Sequence, residues 1–290
     1  MTRGKKSLIG AFLALILLLL PSCRTLQTAP AGQKPSSNLE IHIIDVGNAD
    51  AILIINSEDA LLIDAGENND GDDVVNYIRS QGVDSLDYAI ATHPDSDHIG
   101  GMDVVIDEID IEKFIMPLLP DNLVPNTRTY LDFKNALEGS DAEVEHPKPD
   151  SRYPLGGAEF TILGPVEQHN STNNMSVVCR VDFGRRRFLF MGDAEKEAEN
   201  SLVKSGADLN ADLIKLGHHG SRSSSQEKFL KAVNPVYAII SCGAGNRYGH
   251  PHSQTLSTLK KLGITCFRTD IHGTITVISD GEDITIKKSA

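Results

Sequence analysis

Residues 93–98 read His93-Pro94-Asp95-Ser96-Asp97-His98, and they follow directly on the apolar run 86–91. Two imidazoles and two carboxylates thus crowd into six positions at the end of a strand-like segment. A solvated surface loop would account for any one of them, but four ligand-type side chains in so short a stretch favour a metal. In an extended loop, positions 93, 95 and 97 can point one way and position 98 another, which can serve two adjacent ions. Gly100-Gly101 then permits a tight turn into a helix. The cluster constrains the fold because its partners lie far along the chain, again at strand ends. Gly192-Asp193 closes the run 187–191, Gly217-His218-His219-Gly220 follows 212–216, and Tyr248-Gly249-His250-Pro251-His252 follows 236–241. Ligands at strand ends along one edge of a sheet converge in space. Singly, Asp193 could cap a helix starting at residue 194, and His250 and His252 could be plain loop residues. Jointly they call for a site.

The pattern between these points alternates strand and helix. Period-two or wholly apolar runs predict strands at 40–46, 51–55, 60–63, 86–91, 113–116, 159–163, 176–183, 187–191, 212–216, 236–241, 266–269, 274–278 and 283–287. Helical spacing predicts helices at 73–79, 102–109, 194–204, 226–233 and 253–262. Residues 117–150, proline-bearing and of mixed polarity, predict an excursion with little regular structure. Strands outnumber helices and interleave with them. The fold class is therefore α/β (α+β), with two mixed β-sheets packed together and helices outside. Cys179, Cys242 and Cys266 show no C-x-x-C spacing and read as buried free thiols rather than ligands.

Arg3, Lys5 and Lys6 precede the apolar run 8–20, and Pro21-Ser22-Cys23 follows it. That is the form of a secretory signal, and the run is too short for a comfortable permanent span. Leu20-Pro21-Ser22-Cys23 resembles the bacterial lipoprotein cleavage box, although Pro21 departs from the usual small residue. The expectation is a lipoprotein signal peptide over 1–22, lipidation and membrane attachment at Cys23, and a polar tether over 23–38. A folded domain over 39–290 follows, held at the cell surface or in the periplasm. The net charge is −13, and residues 1–22 carry three cations and no acid, so their removal deepens it to −16. Such an acidic chain is not a general duplex binder, because that electrostatic term needs clustered Lys and Arg.

The motif His93-x-Asp95-x-Asp97-His98-Ile99-Gly100-Gly101 resembles the H-x-[HD]-x-D-H signature of the metallo-β-lactamase fold. Leu62-Ile63-Asp64-Ala65-Gly66 is similar to that superfamily's first motif, Gly192-Asp193 to its bridging aspartate, and His218/His219 to its late histidine. Several further segments, in family order, resemble the C-terminal hydrolase domain of the ComEC family of DNA-uptake proteins. These are Ile44-Asp45-Val46-Gly47-Asn48-Ala49-Asp50-Ala51, Asn173-Asn174-x-Ser176, Gly217-His218-His219-Gly220-Ser221, Tyr248-Gly249-His250-Pro251 and Arg268-Thr269-Asp270. No multi-span channel accompanies them, so the expectation is a hydrolase and not a translocator. Asn173-Asn174 stands where the wider superfamily has its third-motif histidine, with His169 as a nearby substitute.

The resemblance implies an αββα sandwich and hydrolysis by a metal-bound hydroxide. His93 and Asp95 would hold one divalent ion, and Asp97 and His98 the other. Asp193 would bridge them, and His218 or His219 would close the second site. His218 is preferred because it comes first after its strand. Asp64 and Asp45 are the structural supports, and Asp97, His98 and His250 the catalytic group. Asn174, Ser221, Arg268 and Asp270 are candidates for substrate binding. An aspartate oxygen at position 95 hardens the site, which raises manganese beside zinc as cofactor. The hydroxyls of Ser221, Ser223, Ser224 and Ser225, with N–H groups at the next helix start, could hold phosphate oxygens or form only a serine-rich turn. Arg185-Arg186-Arg187 reads as a hairpin turn, while Arg222 could add local charge.

Three functions compete. The first is an extracytoplasmic phosphodiesterase or nuclease acting on single-stranded DNA or a small phosphodiester. The second is a hydrolase of another small ester, amide or lactam. The third is a surface lipoprotein that binds metal without catalysis.

Overall fold

Period-two alternation of large apolar residues builds two sheets in the computed structural model, which describes residues 1–2 and 37–290. The expected signal, Cys23 and most of the tether lie outside the described residues. Eight strands form one sheet: β1 (Leu39–Ile43), β2 (Ala51–Asn56), β3 (Asp59–Ala65), β4 (Ser85–Ile90), β5 (Asp110–Ile115), β6 (Glu143–Glu145), β14 (Ile275–Ser279) and β15 (Ile284–Lys288). Their order is β15-β14-β1-β2-β3-β4-β5-β6. Seven form the other: β7 (Arg152–Leu155), β8 (Ala158–Gly164), β9 (Val178–Phe183), β10 (Arg186–Phe190), β11 (Leu213–Lys215), β12 (Tyr237–Ile240) and β13 (Thr265–Arg268). These run in the order β13-β12-β11-β10-β9-β8-β7.

Each sheet is antiparallel on one side and parallel on the other. The runs β3-β4-β5-β6 and β10-β11-β12-β13 are parallel. The carboxyl ends of β3 and β4 therefore share one edge of the first sheet, and those of β10, β11, β12 and β13 share one edge of the second. The start of β2 falls on the same edge as the end of β3, because the two are antiparallel.

Alternation decides which face each side chain takes. On β2, Ile52 and Ile54 join the core between the sheets, while Ala51 and Leu53 face the helices. β8 and β10 add Phe160, Ile162, Phe188 and Phe190 from the opposite sheet. Outside the first sheet lie α1 (Gly71–Ser80), α2 (Ser96–Ile99), α3 (Met102–Glu108) and α4 (Arg128–Gly139). Outside the second lie α5 (Lys196–Ser205), α6 (Glu227–Val233) and α7 (Ser253–Leu262), and a short α8 (Thr269–His272) follows β13. The two-sheet sandwich expected from the sequence is the observed fold.

The segment 117–150 corrects its expectation. It holds the twelve-residue α4 and the short edge strand β6. Tyr130, Phe133 and Leu137 bury one face of α4, and the Thr127 side chain caps its start by accepting from Tyr130 N. Spacing of three and four between these apolar residues is helical, but flanking prolines and charges dilute it. β7 also escaped, since Pro154 sits inside it. As the outermost strand it has one partner, so the missing N–H is tolerated. No helix among the described residues is long and apolar enough to cross a membrane.

Candidate metal centre

Five strand ends deliver the site. The loop after β4 carries His93, Asp95, Asp97 and His98, the last two on α2. A Cβ on Gly101 would strike the carbonyl oxygen of Ala65, so the paired glycines let this loop lie against the end of β3. There Asp64 takes a left-handed backbone (φ 59°) and is fully buried. Its carboxylate accepts from Thr92 N at 2.8 Å, Thr92 Oγ1 at 2.7 Å and His98 Nδ1 at 2.7 Å. Asp193, after β10, reaches His98 Nε2 at 3.2 Å, His93 Nε2 at 3.9 Å and His219 Nε2 at 3.7 Å.

After β11, His218 and His219 both adopt a left-handed φ of 50°. This costs about 1–3 kcal/mol per residue and persists only where packing enforces it. The turn splays the two rings. His219 is 1% exposed, and its Nε2 lies 3.3 Å from Asp97 Oδ2. His218 stands at the rim, with Nδ1 3.1 Å from Glu195 Oε1 and Nε2 3.7 Å from Asp193 Oδ2. The preference for His218 is thus reversed: the ligand groups that meet around Asp193 and His98 include His93-His98-Asp193, Asp97-His98-His219 and Asp50-Asp193-His219, each with its ligand atoms within 4.8 Å of one another, and of these residues Asp97 is part-exposed.

The hydrogen bonds of the three buried histidines fix how they present themselves. His98 Nδ1 faces Asp64. His219 Nδ1 faces the Ser241 carbonyl at 3.1 Å. His93 Nδ1 faces Thr92 Oγ1 at 3.1 Å, whose own proton goes to Asp64. Each Nδ1 thus faces an acceptor to which it can donate, and each Nε2 is left turned toward the interior of the site. His93 Nε2, His98 Nε2, His219 Nε2 and Asp193 Oδ1 are buried without a hydrogen-bond partner. Four converging acceptors at about 1–3 kcal/mol each for burial unpaired fit a divalent cation.

The electrostatics agree. Burial disfavours a charged His98, but Asp193 and Asp64 overcome it and hold its pKa well above the imidazole range. Burial opposes an ionised Asp193 too, yet the charges of His98 and His219 bring it well below the carboxylate range. A site that binds a proton this tightly competes for a cation in its place. His93, desolvated and beside His98, is lowered to about 4. Asp97 would rise by burial, but the His219 imidazole 3.3 Å away and the charge of His98 hold it at about 2. Asp95 is partly exposed, with Oδ2 3.8 Å from His93 Nε2, and burial raises its carboxyl.

Other expectations are corrected. Asp45 is exposed and accepts only a turn N–H from Gly47, so it does not support the site. The nearby support is Asp50, which is buried, lies 3.5 Å from His219 Nδ1 and pairs with Lys215 Nζ at 2.6 Å. A lone lysine at the end of an otherwise apolar strand was the available signal. Asn174 does not face substrate. Its Oδ1 accepts from Glu195 N and Ala198 N at the start of α5, while Asn173 Nδ2 approaches His218 Nδ1 at 3.4 Å. Asp193 does not cap that helix; Glu195 occupies the cap position.

Ser221 is buried in its own turn, with Oγ 2.8 Å from Ser223 Oγ. The N–H groups of Ser225 and Gln226 are taken by the Glu199 carboxylate, so they are not free for phosphate. Arg268 and Asp270 bind each other through two contacts, at 2.9 and 2.5 Å, and the Cys242 thiol donates to the same carboxylate. Arg185, Arg186 and Arg187 flank the β9–β10 turn and pair with Glu282, Asp212 and Asp208. His169 joins none of the ligand groups among the described residues, and neither do the three thiols. His250 packs its ring 5.4 Å from that of His218 and 6.1 Å from that of His219. Burial and the neighbouring imidazoles lower it to about 4.

Residues 44–244 match the family model of the Metallo-beta-lactamase superfamily. ComE operon protein 3 of Bacillus subtilis (strain 168) is 30% identical over 259 residues, 83% of this chain and 33% of that protein. Competence protein ComA of Neisseria gonorrhoeae is 32% identical over 244 residues, 83% of this chain and 32% of that one. The chain therefore spans about a third of the length of these relatives. The solved structure of the metallo-beta-lactamase fold protein YhfI from Bacillus subtilis shares the fold, with a TM-score of 0.53 at 12% identity over 80% of this chain and 95% of that one. The matched segment contains His93, Asp97, His98, Asp193 and His219, and the chain belongs to the metallo-beta-lactamase superfamily.

Proposed function

We propose that this chain is an extracytoplasmic, lipid-anchored phosphodiesterase that uses two divalent ions, zinc or manganese. The observation that carries the reading is the convergence of the Nε2 atoms of His93, His98 and His219 on the Asp193 carboxylate. The resemblance of the motifs to the hydrolase domain of DNA-uptake proteins, together with a relative named Competence protein ComA, supports a nucleic-acid phosphodiester as substrate. His93, Asp95 and Asp193 would hold one ion, and Asp97, His98, His219 and Asp193 the other. Bound there, such ions supply an activated water at neutral pH and positive charge opposite the phosphoryl oxygens.

The chain's own residues set the geometry for this. Asp64, Ser241 and Thr92 hold the three imidazoles in one tautomer, so that no proton stands between ligand and ion. Glu195 and Asn173 orient His218 at the mouth. His250, neutral at pH 7, can hydrogen-bond a phosphoryl or leaving oxygen without pairing with the carboxylates. Arg268 and Asp270, closed on each other, brace the Cys242 end of β12.

The test is a substrate panel. The purified chain in detergent, with manganese or zinc, meets single-stranded DNA, bis-p-nitrophenyl phosphate and nitrocefin. Phosphodiester cleavage that falls more than about 100-fold in both His98→Ala and Asp193→Ala, beyond what an outer partner costs, is the expected result. Turnover of nitrocefin alone would replace the reading with a small-amide hydrolase. Bound metal with no turnover would replace it with a metal-binding lipoprotein.

A further inference from the structure

Tyr248 is the one large aromatic side chain left exposed among the described residues, at 50%. It contributes to none of the three apolar clusters. Its ring lies 5.6 Å from that of His250 at an interplanar angle of 22°. His250 in turn lies 6.1 Å from His219 at 27°. Near-parallel rings thus step from solvent down to a buried metal-ligand candidate. The Arg247 guanidinium stands 4.8 Å from the centre of the Tyr248 ring and donates to Tyr248 Oη at 2.6 Å.

The loop that presents this pair is prearranged. Asn246 Oδ1 accepts from Tyr248 N at 3.1 Å and His250 N at 3.0 Å, and Asn246 Nδ2 donates to His250 O at 2.6 Å. Half of the Tyr248 surface stays open to solvent, and the exposed Arg247 has no carboxylate partner among the ion pairs of the described residues, so the pair has ring surface and charge to offer. Bases of any identity stack on such surfaces, at about 1–3 kcal/mol per base. A cation beside the ring suits the backbone of the same strand.

We propose that Arg247 and Tyr248 form a stacking platform for a nucleobase of a single-stranded nucleic acid lying across the metal centre. This rests on the phosphodiesterase reading above and narrows its substrate to strands that carry bases. An acidic chain selects such a strand through ring surface near the metals and not through a broad basic face.

The chain contains no tryptophan, so Tyr248→Trp places a single reporter on the platform. The zinc-loaded full chain is titrated with oligo(dT), with oligo(U) and with a phosphodiester oligomer of equal length that lacks bases. Fluorescence is read before cleavage proceeds. Quenching by either base-bearing strand and not by the baseless one is expected, and the stronger quencher tells DNA from RNA. In the cleavage arm, Tyr248→Ala raises KM for the better strand about 5–150-fold, the equivalent of one stacked base, and Tyr248→Phe recovers most of it. Equal quenching by all three oligomers, or none, overturns the platform even where the chain cleaves DNA. Base-dependent quenching in a chain that cleaves no phosphodiester sustains the platform and sinks the hydrolysis reading.

Discussion

Lys215 sits fully buried at the end of an apolar strand, where an ammonium group needs a partner. It has one in Asp50 at 2.6 Å, with a second contact to the Leu216 carbonyl at 3.1 Å. Asp50 Oδ1 lies 3.5 Å from His219 Nδ1. The pair thus fixes the floor beneath a metal-ligand candidate. Lys215→Met leaves the Asp50 carboxylate buried without its ammonium partner. Urea unfolding of the metal-free chain is expected to show a loss of about 3–5 kcal/mol. The double variant with Asp50→Asn should lose less than the sum of the two single variants, because the orphaned charge is gone. A cost under about 1 kcal/mol for Lys215→Met would mean that the pair contributes little.

Among elements, α5 and α6 meet through Glu199, a buried residue of α5 whose carboxylate accepts from Ser225 N and Gln226 N at the start of α6. Burial raises its carboxyl to about 8, against the pull of those two N–H groups, and the charges of Glu195 and Glu197 push the same way as burial. Between the ordinary glutamate range and about 8, the folded chain keeps a proton that the unfolded chain has released. The stability due to the neutral carboxyl is therefore complete below the unfolded value and declines as pH rises through about 8. Urea unfolding across this range is expected to show the wild-type chain losing stability relative to Glu199→Gln, which does not titrate. A constant difference between the two would show that Glu199 is ionised throughout. The serine turn that follows His218 and His219 rests on this junction, and its own hydroxyls bond within it, Ser224 Oγ donating to Gly217 O at 2.7 Å.

For the molecule as a whole, acidity and function meet at one edge. Part of the −13 net charge is the set of carboxylates among the candidate metal ligands, which bound cations would neutralise. The three consecutive arginines lie in ion pairs around a hairpin. At this scale belongs the proposed lipid anchor, which the form of residues 1–23 supports. Expressed in bacteria, the chain should incorporate labelled palmitate and sediment with membranes, and Cys23→Ala should do neither. Labelling that survives Cys23→Ala would exclude that attachment site.

The sequence by itself determined the sandwich, the strand ends that carry ligands and the loop His93-x-Asp95-x-Asp97-His98, because alternation and local spacing are written in neighbouring residues. Asp64 was legible only through the resemblance of Leu62-Ile63-Asp64-Ala65-Gly66 to the superfamily's first motif. Tertiary structure alone decided which of His218 and His219 enters the cluster, since two adjacent left-handed residues send one ring inward and the other to the rim. It also decided that Asp50 and not Asp45 lies under the site, because the partner that singles out Asp50 is Lys215, 165 residues away. Asn174 and the serine N–H groups were misassigned on similar grounds. A polar residue beside a site reads alike in sequence whether it faces substrate or closes a helix end. Only the packing of α5 and α6 shows that these groups had already found partners within the chain.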